Sequence, residues 1–89
     1  MNIDITGRGF TPSDNLKTFI NEKSSSLLKY DPYISNAKVV LVKEGRAEKV
    51  ELIISGKNNN YIAKCYSSVF EKTIMHAISK IKSQIEKVH

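Results

Sequence analysis

Lys72, His76, Lys80, Ser83 and Lys87 recur at helical spacing near the end of an 89-residue chain, and no acidic residue interrupts them. At about 100° per residue they line one stripe of a helix. Cations in such a row do one kind of chemistry: they neutralise phosphates spaced along a polyanion. From Lys72 to Lys87 the row is about 22 Å long, enough to follow several phosphates. Glu71 and Glu86 fall on the other flank, where Lys82 can pair with Glu86 at i,i+4. The same pattern suits a solvated lysine face, and the stripe alone does not separate the two readings.

Little else in the chain has the makings of a reaction centre. His76 and His89 are the two histidines and Cys65 the one cysteine, with no His, Cys and carboxylate cluster at metal-ligand spacing. Glu48 and Glu51 lie three apart on an expected strand, hence on opposite faces, so they are not an acid/base pair. Gly7-Arg8-Gly9 lacks the rest of a phosphate-binding glycine fingerprint. Arg8 between its glycines reads as a phosphate contact or as an ordinary solvated loop arginine. Cys65 reads as a small core residue. The expectation is no enzyme, no metal, no cofactor and no small-molecule substrate.

Charge and composition narrow the partner. Fourteen basic against nine acidic residues give a net charge of +5, which favours a polyanion. Twelve of the fourteen are lysines, Arg8 and Arg46 being the exceptions, a mix suited to diffuse phosphate contact rather than bidentate reading of bases. Folded RNA recognised by shape fits that better than a DNA sequence. A single cysteine allows no internal disulfide and fits a reducing compartment. The first residues have neither the charge nor the apolar run of a signal peptide, and no run approaches the ~18 residues of a spanning helix. A cytoplasmic protein away from membranes is expected, with residues 1–89 forming one domain.

The elements that must position the stripe follow from period and punctuation. Ile3 and Ile5 alternate with polar neighbours in a short first strand, and Gly7 and Gly9 end it. Thr11 as cap, Pro12 in the first helical position and Asp14 in the first turn open a helix. Leu16, Phe19, Ile20 and Leu27 share its apolar stripe, with Tyr30 near the end and Asp31-Pro32 as the stop. Lys23 falls inside that stripe, so its stem covers apolar surface or its ammonium leaves through the seam between two helices. Strands are expected over 35–44, 47–55 and 61–66, with Gly45 and the polar run 56–60 as turns. Ser68 and Glu71 read as a capping box for the last helix, over 67–89. Its apolar stripe is Phe70, Ile74, Ala77, Ile78, Ile81, Ile85 and Val88.

The order is β-α-β-β-β-α. The crossover joins parallel neighbours and the hairpins extend the sheet antiparallel. The expected fold is an α+β two-layer sandwich, a four-stranded mixed sheet with two helices on one face. With the helices side by side, Lys17, Lys23 and Lys29 of the first join Lys72, His76, Lys80 and Lys87 of the second in one basic surface.

Over nearly its whole length the chain resembles the short ribosome hibernation factors, also called ribosome-associated inhibitor or sigma-54 modulation proteins. Met1-Asn2-Ile3-Asp4-Ile5-Thr6-Gly7 is similar to the family's opening strand and turn. Leu16-Lys17, Phe19-Ile20, Lys23 and Leu27 follow its first helix, and Ile74, Ile78, Lys80-Ile81, Gln84-Ile85 and Lys87 its second. Val69 and Glu71 stand where the family usually has Asp-x-Tyr, and Ser26 where it has a basic residue.

The resemblance implies the same fold, related in shape to double-stranded RNA-binding domains. It also implies docking on the small ribosomal subunit and its rRNA at the decoding region, with translation silenced in stationary phase or stress. The family's rRNA-contacting positions map onto Lys17, Lys23, Lys80 and Lys87. The C-terminal dimerisation domain of the long members has no counterpart in these 89 residues, and a monomer off the ribosome is expected. A general double-stranded RNA-binding module and a protein-interaction adaptor of a transcription factor are the alternatives.

Overall fold

In the computed structural model, which describes residues 1–88, the first strand, β1 (Asn2–Arg8), lies parallel beside β2 (Asn36–Glu44). Between them the chain forms α1 (Asp14–Ser25) and a 3-10 turn (Ser26–Lys29). β3 (Ala47–Ser55) and β4 (Asn60–Ser67) add antiparallel, giving the strand order β1-β2-β3-β4. α2 (Phe70–Val88) follows and lies over β3 and β4, with α1 beside it on the same face of the sheet. This is the expected β-α-β-β-β-α sandwich. The helix end expected at His89 lies outside the described residues.

Alternation decides which side of each strand meets the helices. Ala37, Val39 and Leu41 of β2, Val50, Leu52 and Ile54 of β3, and Tyr61 and Ala63 of β4 are buried. Against them α2 sets Phe70, Ile74, Ile78, Ile81 and Ile85, each worth ~1.5–3 kcal/mol of gross burial. Gly45, at φ 61°, makes the short β2–β3 hairpin possible. Gly7 is required for closeness instead, because a Cβ there would stand 2.5 Å from the Phe10 carbonyl oxygen. Cys65 is half-buried and packs against the core, the small core role expected of it.

Both helix starts differ from the sequence expectation. The α1 cap is Ser13, not Thr11: Ser13 Oγ accepts from the Leu16 amide at 3.1 Å. Pro12 is buried over Gly7, so the helix cannot begin until the chain has cleared that contact. α2 does not use the Ser68 and Glu71 box. The Phe70 amide donates to Glu48 Oε1 on β3 at 2.7 Å, and Thr73 Oγ1 reaches the Glu48 carbonyl at 2.9 Å. A carboxylate brought by the sheet to the positive end of the helix outcompetes the local hydroxyl. At the other end Val88 is 52% exposed rather than part of the apolar stripe. Gln84 is already level with Ile62 near the start of β4, so Val88 overhangs the sheet.

Candidate nucleic-acid interface

The buried stripe sets the rotation of α2 about its own axis, and one polar side chain shows which flank meets the sheet edge. Gln84 Oε1 accepts from the Ile62 amide at 3.2 Å, and Gln84 Nε2 donates to the Ile62 carbonyl at 2.8 Å. That pins one flank of the helix to the free edge of β4. The opposite flank faces α1. There Glu71 shares a groove with Leu16 and Phe19, and Lys82 Nζ stands 4.7 Å above the Tyr30 ring and 4.0 Å from Glu86 Oε1. By the 100° step, Lys72, His76, Lys80 and Lys87 lie between the Gln84 flank and open solvent, turned away from α1. All four are exposed.

The three lysines expected from the first helix are placed differently. Lys23 sits on the α2-facing flank of α1, half-buried, with Nζ 5.5 Å above the Phe19 ring. Its stem covers apolar surface while its head reaches the seam, so both sequence readings of Lys23 describe the same conformer. Lys17 lies 200° round from Phe19, on the flank facing away from α2. Lys29 is exposed at the end of the 3-10 turn. The rotation of α2 therefore separates its four-residue row from the lysines of α1, and the single basic surface suggested by side-by-side packing is divided.

The electrostatics favour the α2 row. Carboxylates pair with Lys43 (Glu48, 4.0 Å), Lys49 (Glu44), Lys64 (Glu51, 4.0 Å) and Lys82 (Glu86, 4.0 Å). Among the described residues none of these ion pairs uses Lys72, Lys80, Lys87 or any lysine of α1. Exposed pairs stabilise little. Their consequence here is to neutralise lysines of the sheet while leaving Lys72, Lys80 and Lys87 of α2 outside these pairs. The Lys49 ammonium, by hydrogen bond and by charge, holds the Glu44 carboxyl below its usual range. Burial, with the Asp31 carboxylate, pushes the Tyr61 phenol up, but Tyr61 belongs to the core under the helices.

Residues 3–89 match the family described as Sigma 54 modulation protein / S30EA ribosomal protein. The chain belongs to this family. Two solved structures share the fold of this S30EA-family chain. One is a ribosomal subunit interface protein from Coxiella burnetii, 22% identical, with a TM-score of 0.87 over 99% of this chain and 97% of that one. The other is the N-terminal domain of Thermus thermophilus Protein Y, 21% identical, with a TM-score of 0.91 over the full length of both. Among curated proteins none matches the sequence. No helix of the described residues is long and apolar enough to cross a membrane.

Sequence reasoning missed Gln84 as the residue that bonds the S30EA-family α2 to the β4 edge. Its signal was an amide at the boundary between the apolar and basic stripes. Lys82 was read correctly as lying off the row, although its contact with Tyr30 spans 52 positions and leaves no local trace.

Proposed function

We propose that this chain is a non-enzymatic ribosome-binding protein that silences translation. It sets the α2 row on rRNA of the small subunit, in the decoding region where mRNA and the tRNA anticodon ends lie. Idle ribosomes of stationary or stressed cells are its targets, and it works in the cytoplasm as a monomer until it docks. Lys72, His76, Lys80 and Lys87 supply the main phosphate contacts; Lys23 at the seam, Lys17 and Lys29 add peripheral ones. The reading is supported by family membership and by the name of the Coxiella neighbour, a ribosomal subunit interface protein. The observation that carries it is the row itself: four exposed basic residues on one helix face, none in an ion pair among the described residues, with the neighbouring flank bonded to β4 through Gln84.

The test is a salt titration of binding to isolated small subunits. Replacing Lys72, Lys80 and Lys87 together by Gln keeps helix propensity, so folding changes little. Each lost phosphate contact lowers the slope of log K against log salt by about 0.7–0.9, so the triple variant should lose roughly 2–3. Lys82→Gln, already engaged by Tyr30 and Glu86, should retain nearly the parental slope. Parental binding by the triple variant would sink the reading. Equal affinity for isolated RNA duplexes and for small subunits would replace it with a general duplex-binding module.

A further inference from the structure

The face of the sheet opposite the helices is not idle. Strand register sets Arg8, Val42, Lys49 and Tyr66 in one row across all four strands, each facing away from the core. Tyr66 is 73% exposed, the most open of the large hydrophobic side chains. Beside it is a recess of about 310 Å³ lined by Val42, Lys49, Glu51, Lys64 and Tyr66. That is the lower end of the range for ligand pockets, suited to one planar ring rather than a larger molecule.

This face is reached over the β4 edge from the helix that carries the proposed rRNA interface. β4 is an edge strand, and α2 runs back alongside it, with Gln84 of α2 bonded to Ile62 on the edge. Lys64 and Tyr66 lie on that same edge strand and face the side of the sheet opposite α2. Cations interleaved with an open aromatic ring are what unpaired nucleic acid requires. Lysine and arginine take the phosphates, and the ring takes a base face irrespective of its identity.

We propose that Tyr66 is a stacking platform for an unpaired RNA base, with adjacent Lys49 holding a flanking phosphate and Arg8, three strands across the sheet, a more distant one. The proposal rests on the reading of α2 as an rRNA-binding helix and extends it from phosphate contact to base contact. The carboxylates of Glu44 and Glu51 neutralise Lys49 and Lys64 in the free protein, and incoming phosphates exchange with them. These pairs are exposed, so the exchange costs little.

The experiment uses the full chain and a mixed-sequence single-stranded RNA of about ten nucleotides, titrated at several salt concentrations, alongside isolated small subunits. Tyr66 is open enough that its substitutions leave the core untouched. Tyr66→Leu should weaken oligonucleotide binding about 5- to 150-fold at every salt, with the salt slope unchanged. Tyr66→Phe keeps the ring and should bind as the parent does. Arg8→Gln should lower the slope by about 0.7.

A Tyr66→Leu variant that binds the oligonucleotide as tightly as the parent overturns the proposal, and so does a parent that does not bind it. Parental oligonucleotide binding by Tyr66→Leu with loss of small-subunit binding also overturns it, assigning the face to a protein partner. None of these results touches the α2 reading, which stands or falls on the lysine variants and small subunits.

Discussion

Replacing Glu48 by Ala tests what positions the basic helix. The Glu48 carboxylate accepts from the Phe70 amide at 2.7 Å, has Lys43 at 4.0 Å on its other oxygen, and is 24% exposed. A hydrogen bond to a charged group contributes about 1.5–3 kcal/mol, and its loss leaves a first-turn amide without its acceptor. We expect about 2 kcal/mol of destabilisation. In a domain of this size that lowers Tm by roughly 8–16 °C. Glu48→Gln keeps an acceptor at the same place without the charge and should lose about half as much.

Ser68→Ala is the decisive companion. Were a local capping box in charge, it would cost about 1 kcal/mol; in this structure it should change stability by less than about 0.5 kcal/mol. Equilibrium urea unfolding followed by far-ultraviolet circular dichroism separates the cases, since the midpoints should move while the slopes stay the same. A larger loss from Ser68→Ala than from Glu48→Ala would refute the cross-strand cap.

Two further predictions concern buried polar groups. Tyr61 donates to Asp31 Oδ2 at 3.1 Å, so Tyr61→Phe should cost about 1.5–3 kcal/mol at neutral pH, read from urea midpoints. Burial and the Asp31 carboxylate raise the Tyr61 pKa, so above pH ~10 the unfolded chain loses a proton that the native state keeps. Parental stability should therefore fall as pH rises from about 10 towards the raised native value, and less steeply in Tyr61→Phe; identical pH profiles would contradict this. Ser24, 1% exposed, has a hydroxyl without a hydrogen-bond partner among the described residues. Ser24→Ala should raise stability by about 1 kcal/mol, seen as a Tm several degrees higher, and a lower Tm would show the hydroxyl to be satisfied.

What the sequence made legible is what has a short period. Val50, Leu52 and Ile54 against Glu51, Ile53 and Ser55 announce β3, and the Phe70 to Ile85 stripe announces α2, because burial selects residues at the repeat of the backbone itself. Gly45 marks its turn for the same local reason. The caps were harder to read. Ser13 and Thr11 are both capping types, and the choice between them depends on Pro12 fitting over Gly7. Glu48 caps a helix that begins 22 residues later, and no window on α2 contains it.

The basic row was legible as a row but not as a surface. Which flank of α2 meets α1 shows only in the partners of Gln84 and Lys82 on other elements. The Tyr66 row needs the register of four strands at once, since Arg8, Val42, Lys49 and Tyr66 share nothing in sequence.

Gln84 has a consequence beyond orientation. A side-chain amide carries the same donor and acceptor as a peptide group, and on Ile62 it stands where the next strand of a sheet would stand. The basic helix is thus also the stopper on the strand edge. If α2 lifts away, apolar β4 and its unpaired backbone groups are uncovered together, the combination on which extended chains add to one another. Keeping α2 seated is then a condition of remaining dispersed as well as of binding.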